Sequence, residues 1–453
     1  MSKNSIEAMG SRPVLPLLLT MAFPPMISML IQSMYNIVDS IFVAKLGESA
    51  LTAVSLAFPL QNLVLSVAVG LGVGVNALMA KNLGAGDEKE AESAAFHGMV
   101  LTALHSLAFV FIGLFLTGPF FRVFTSDEQI YRMGCDYAVL VVSFSFGSLF
   151  HITIEKMFQA TGNMIFPMLM QALGAVVNII LDPILIFGLL GFPALGVTGA
   201  AVATLIGQFT ACGLSAFLFW KYGKIRLHLK GFRFRKKTVK NIYSIAAPSG
   251  MMNLLPSILV GTLNGILSAV SPLAVAVLGI YFKLQTFVYM PSNGLVQGMR
   301  PIISYNYGAG NKKRLITTIK MSCIVIGLVM LLGTAVFALM PGIVMQLFSA
   351  GEEMESMGIP ALRIISAGFL ISTLGVVFSG TFEALGLGFH SLIISLLRQF
   401  VITVPLALIL MKTAGIIGVW AAFPIAEAVA AAVSILLFMS VYRNRIKTLL
   451  FNP

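Results

Sequence analysis

A carboxylate sits inside the first membrane-length apolar run of this chain, and another inside the fifth. Asp39 lies in MISMLIQSMYNIVDSIFVA and Asp182 in MLMQALGAVVNIILDPILIFGLL. An ionised side chain in hydrocarbon is costly, so such residues face a partner or a wet cavity and mark an ion or substrate path. On a helix of about 3.6 residues per turn, Gln32, Tyr35, Asn36 and Asp39 form one polar stripe that cannot face lipid. Asn178 and Asp182 are four apart and share a face. Thr204 stands in the sixth run, below the outer entrance, and both aspartates come several residues before the outer ends of their runs, so depth lets these groups meet. Carboxylate, amide and hydroxyl oxygens suit a hard cation such as Na⁺. Two carboxylates held out of water also repel one another when both are charged, so one proton binds readily. The plainer alternatives are interhelical hydrogen bonding for Asn178 and Thr204, and a structural pair for the aspartates.

Other charges carry weaker signals. Glu155 adjoins Lys156, which admits either an ion pair or a carboxylate that attracts cationic substrates. Lys283 lies deep in the eighth run and Arg398 in the eleventh; each needs a partner, and Glu383 and Glu427 are candidates. His97 and His105, two turns apart, have no Cys, Asp or Glu at ligand spacing, so no metal site is expected there. Cys135, Cys212 and Cys323 are scattered and suggest no disulfide framework. The 25 Met and 34 Phe can line an adaptable binding wall, because Met is flexible and polarisable. The Gly-Ala-Gly loops at 84–86 and 308–310 lack the Lys-Ser/Thr of a phosphate loop. Nothing suggests an ATPase domain, a nucleophile with its base, or an organic cofactor, so an enzyme is not expected. Energy must come from an ion gradient.

These residues need helices to hold them. The chain is 58% hydrophobic and 10% charged, where soluble domains carry about 25% charged residues. Apolar runs of about 20 residues or more fall near 14–44, 51–80, 94–117, 133–159, 164–190, 195–220, 243–270, 274–304, 316–340, 358–382, 390–411 and 415–441. The first reads as a retained anchor. The segment 221–240 holds nine Lys/Arg and no acid. It shares a side with basic residues near 300–320 (Arg300 to Lys320) and 443–447, while Asp127, Glu128, Glu352, Glu353 and Glu355 mark the other. Basic loops stay inside, which places both termini in the cytoplasm and accounts for the net charge of +12 without nucleic acid.

The two halves repeat. At an offset of 224, Pro24 matches Pro248, Gln61 matches Gln285, Gly70 matches Gly294 and Gly74 matches Gly298, with twelve identities across 58–89. The offset drifts to 222 at Pro183 and Pro405; Gly196 matches either Gly418, at 222, or Gly415, at 219. Six spans per half make parallel repeats, the architecture of alternating-access transporters. Asp39 and Asp182 map to Leu263 and Val404, so the acidic pair belongs to the first half alone.

The motifs VDSIFVAKLG (38–47), GLGVGVNALMAKNLGAGD (70–87), GVTGAAVAT (196–204) and GLVQGMRPIISYNYGAG (294–310) resemble the multidrug and toxic compound extrusion (MATE) family over nearly the whole chain. YFKLQTFVYMPSNG (281–294) is most similar to the MepA-like bacterial branch. The first motif departs from the family's Gly-Arg-Leu-Gly ending at Ala44, Lys45, Leu46 and Gly47, and no acid stands in the second half's first span. The resemblance implies an all-α polytopic membrane protein, with twelve transmembrane helices in two six-helix lobes around a V-shaped cavity. The lobes are expected at 1–220 and 241–453, joined by a basic cytoplasmic linker at 221–240. It implies efflux of bulky, often cationic compounds driven by inward H⁺ or Na⁺ across a bacterial plasma membrane, with antibiotic resistance as the consequence. It also implies a first-lobe cation site at Asp39, Asn178, Asp182 and Thr204. Substrate contacts are expected from Gln32, Tyr35, Asn36, Glu155 and Lys283, in a monomer whose partners are lipid and organic cations. A lipid-linked oligosaccharide flippase of related fold is the runner-up; it would want a more basic cavity. An intramembrane enzyme or a channel fits less well.

Overall fold

The computed structural model describes residues 4–227, 233–346, 348 and 351–449. The expected linker 221–240 therefore lies partly outside the described residues, at 228–232. The described residues form helices and no strand. In chain order these are α1 (Asn4–Ser11), α2 (Val14–Ala44), α3 (Glu48–Gly84), α4 (Glu88–Phe111), α5 (Thr117–Phe124), α6 (Glu128–Ser143), α7 (Phe146–Ala160), α8 (Ile165–Phe187) and α9 (Val197–Tyr222). The second half gives α10 (Lys236–Ser268), α11 (Pro272–Gly308), α12 (Lys312–Leu339), α13 (Pro341–Gln346), α14 (Glu352–Ala384), α15 (Gly388–Leu396) and α16 (Thr403–Val441).

Helices follow because a chain in hydrocarbon must satisfy every backbone polar group within itself. Among the described residues, ten helical stretches are long and apolar enough to cross a membrane, and α6 with α7, bent by 42°, supplies an eleventh. The 59-residue stretch Gly388–Ile446 turns at Gly415, whose φ of 61° is left-handed, and so accounts for two crossings. The expected twelve spans are therefore present in this multi-pass membrane protein.

The repeated loop motif has a local cause. After α3, Gly86 takes φ 75° and Asp87 N–H donates back to the Asn82 carbonyl at 2.9 Å. After α11, Gly310 takes φ 69° and Asn311 N–H donates to the Asn306 carbonyl at 2.9 Å. This is a Schellman-type stop, which needs a residue tolerant of the left-handed region. The next helix starts at once: the Asp87 side chain accepts from Glu90 N–H at 3.0 Å, and the Asn311 side chain from Arg314 N–H at 3.1 Å. The Gly-Ala-Gly loops are helix punctuation. Gly196 and Gly415 also share a conformation, φ 56° and 61°, which settles their pairing at an offset of 219 in favour of Gly415 over Gly418.

The chain divides into two compact units, 1–6 with 27–250 and 7–26 with 251–453. Unit 1 thus takes in the start of α10, and unit 2 takes in most of α1 and the start of α2. Small residues allow these close approaches. In unit 1 a Cβ on Gly70 would lie 2.5 Å from the Ala246 carbonyl oxygen, and one on Gly74 2.6 Å from that of Ile242. In unit 2 a Cβ on Gly294 would lie 3.0 Å from Met26 N, and one on Gly298 2.8 Å from the Met21 carbonyl carbon.

The two α4 histidines help hold the start of α10 in unit 1. His97 places Nδ1 2.7 Å from the Ser93 carbonyl, and its Nε2 accepts Arg235 N–H at 2.8 Å. His105 places Nδ1 2.8 Å from the Leu101 carbonyl, with Nε2 3.2 Å from the Tyr243 hydroxyl. Arg235 also pairs with Glu90.

Candidate functional site

Two glycines bring α8 and α9 together beneath the acidic pair. A Cβ on Gly207 would meet the Gly174 carbonyl oxygen at 2.7 Å and Asn178 Cβ at 3.1 Å; one on Gly174 would meet the Gly207 carbonyl oxygen at 3.1 Å. With no side chains between the backbones, Asn178 reaches across to Thr204. In the amide orientation that satisfies both neighbours, Asn178 donates to Asp182 Oδ2 at 3.1 Å and accepts Thr204 N–H at 3.1 Å. The surrounding network decides that orientation. Asp182 is 0% exposed, and Asn178 and Thr204 are buried.

α2 completes the cluster. It brings Asp39 beside Asp182, and Tyr35 beside both acids and Thr204. Asp39 Oδ1 is enclosed and has no hydrogen-bond partner among the described residues. Two carboxyl groups lie close together with one oxygen undonated, beside the Tyr35 and Thr204 hydroxyls, while the Asn178 amide oxygen is taken by Thr204 N–H. That donor set fits a proton shared between the acids, or a hard cation held by oxygens.

The five residues Tyr35, Asp39, Asn178, Asp182 and Thr204 thus gather in unit 1. Gln32, on the same stripe, is half-buried, and Asn36 is exposed. Sequence reasoning missed Tyr137 and Gln61. Tyr137, on α6, is buried beside Asp39, and its hydroxyl accepts from Gln61 Nε2 at 2.9 Å. The only signal was that Gln61 sits within the repeated segment.

Glu155 makes its bonds elsewhere. Its Oε1 accepts from Lys156 Nζ at 2.9 Å and from Gln159 Nε2 at 2.8 Å. A near-buried ion pair is thus formed, and the Lys156 carbonyl accepts from Asn76 at 2.9 Å. Lys283 does not take the partner sequence reasoning sought for it. It is exposed and makes no ion pair among the described residues. Glu427 instead pairs with Arg398 at 2.7 Å, and Arg398 also donates to the Tyr289 hydroxyl at 3.2 Å. Tyr289 in turn donates to Ser372 at 2.8 Å. Glu383 pairs with Arg300 at 2.6 Å. Arg300 is therefore an internal partner and not part of the basic loop to which its neighbours belong. At the repeat offset of 224, Arg300 and Glu383 stand where unit 1 has Asn76 and Gln159.

The MatE family model matches residues 24–184 and 248–409, one match in each half. The chain is 26% identical over 423 residues to a FAD transporter of Shewanella oneidensis, covering 92% of each. It is 28% identical over 429 residues to the multidrug export protein MepA of Staphylococcus haemolyticus, covering 94% of this chain and 93% of the relative. Among solved structures, it is similar to an outward-facing multidrug resistance MATE family transporter of the MOP superfamily, at 27% identity and a TM-score of 0.89, covering 99% of both chains.

Proposed function

Since the chain belongs to the MatE family, in its MepA-like branch, we propose that it is an antiporter that exports amphipathic, often cationic organic compounds in exchange for inward H⁺ or Na⁺. The closeness of the Asp39 and Asp182 carboxyl groups, with one enclosed oxygen lacking a donor, supports this reading most. The coupling ion is the cargo of that pair. Asn178 holds Asp182 in place, Thr204 and Tyr35 supply hydroxyl oxygens, and Tyr137 keeps the site closed beside Asp39.

An ion bound from outside removes the repulsion between the acids, so it favours whichever conformation keeps them together. A ligand shifts such an equilibrium only through unequal affinity for the two states. The ion's cytoplasmic release then resets the carrier for the next substrate. Both termini face the cytoplasm in this scheme, and Glu155, Gln32 and Asn36 meet the substrate.

A second reading takes an organic phosphate as cargo. Exposed Lys283, with no ion pair among the described residues, favours it, as does the likeness to a FAD transporter. Uptake of a cationic dye and of FAD into everted membrane vesicles separates the two. Dye uptake that needs a gradient and survives Lys283→Ala supports the first reading. FAD uptake alone, lost in Lys283→Ala, supports the second.

A further inference from the structure

Unit 2 carries an apolar groove among membrane-spanning helices. Ile316, Cys323 and Ile324 of α12 line it with Phe378 of α14 and Phe438 of α16, and this shallow, open groove has a volume of about 350 Å³. The two rings stack with centroids 4.5 Å apart. Lys320, exposed, stands in the same lining.

The matching place in unit 1 is filled. At the offset of 224, Lys320 corresponds to Phe96, Cys323 to Met99 and Phe378 to Ile154; at 219, Phe438 corresponds to Phe219. The left-handed glycines anchor both offsets, Gly162 with Gly386 at φ 79° and 81°, and Gly196 with Gly415 at φ 56° and 61°. In unit 1, Met99 and Phe219 pack onto buried Ile154 and Phe158. Exchanging Met for Cys leaves space, and exchanging Phe for Lys puts a charge beside it.

Ile324 and Lys320 are exposed on a helix long and apolar enough to cross a membrane, so the groove is open to a molecule of the bilayer. An ammonium there needs an anion. The lysine stem can lie along apolar wall while its head reaches toward the interface. Exposed Lys313 stands seven residues earlier on the same face of α12, two turns nearer the basic helix start. A row of cations leading into an apolar slot matches an anionic phospholipid, phosphate on the lysines and acyl chain in the slot. A cationic substrate would be repelled. We propose that this groove binds one anionic phospholipid, its phosphate on Lys320 and one acyl chain between Cys323 and the Phe378–Phe438 stack.

The test is native mass spectrometry of the full chain, delipidated and titrated with phosphatidylglycerol or phosphatidylcholine. One phosphatidylglycerol should be retained in preference to phosphatidylcholine. Lys320→Gln should weaken that retention about fivefold, the worth of one lysine near an anionic surface. Ile324→Trp, which fills the slot and keeps the charge, should remove it. In a Cys135→Ser/Cys212→Ser background, phosphatidylglycerol should slow maleimide labelling of Cys323. Equal retention of the two lipids would overturn the proposal. So would phosphatidylglycerol retention unchanged in Ile324→Trp, which decides the matter even if Lys320→Gln does not fold. Protection of Cys323 by a cationic dye and not by the lipid would assign the groove to substrate, and a dimer lost in Ile324→Trp would assign it to a second copy.

Discussion

Asn178 stands between Asp182 and Thr204, one turn from the first on α8 and across a glycine contact from the second on α9, at 3.1 Å from each. It ties the acid of one helix to the backbone of the next. Asn178→Ala should leave Asp182 without that donor and Thr204 N–H without that acceptor. A buried polar group left unpaired costs about 1–3 kcal/mol. Export should fall at least tenfold while the protein still inserts; dye efflux at matched expression measures it, and Asn178→Ser should retain more activity than Asn178→Ala.

The approach of α8 to α9 rests on Gly207. Gly207→Val should force the backbones apart, since even a Cβ would sit 2.7 Å from the Gly174 carbonyl oxygen. Overpacking of this kind costs about 1–3 kcal/mol. The melting temperature in detergent should drop, and export should drop with it. Gly213, which has open space around it, is the control: Gly213→Ala should change neither.

The unit 2 charges are expected to hold structure. Glu427→Gln should leave the largely buried Arg398 with less charge compensation, and breaking a fully buried pair, the upper limit here, costs about 3–5 kcal/mol. The double variant Arg398→Met/Glu427→Met removes both charges and should recover much of the melting temperature. A double variant no more stable than the single would speak against a structural pair.

Glu155→Gln tests substrate recognition. Its ion pair with Lys156 means that removing the acid leaves a cation behind. Export of cationic dyes should fall more than export of neutral ones. Equal losses for both would give Glu155 a packing role alone, through Lys156 and Gln159.

Much of this was legible in the residues. The acids at Asp39 and Asp182 stood out because charge is rare in apolar runs, and the four-residue spacing of Asn178 and Asp182 is a local helical fact. The doubled Gly-Ala-Gly loops revealed the repeat, although their cause, a left-handed stop followed by a side-chain cap, needed backbone angles. What stayed hidden was long-range. Gly70 and Gly74 announce a close contact but not its partner, which is the start of α10. Arg300 reads as a loop cation until Glu383 is seen beside it. Tyr137 carries no local mark of its place beside Asp39, because long-range packing in one cluster with Phe42 and Val43 of α2 brings it there.

The central claim is that coupling resides in the Asp39–Asp182 pair, and ion-gradient dependence tests it most directly. Purified protein in proteoliposomes would be loaded with a cationic dye, and dye flux followed against imposed pH and Na⁺ gradients. Wild-type flux should follow one of these gradients, Asp39→Asn and Asp182→Asn should each lose that dependence, and Glu427→Gln should keep it. Gradient-driven flux that survives loss of both aspartates, and disappears in Glu427→Gln, would contradict the account and place coupling in unit 2.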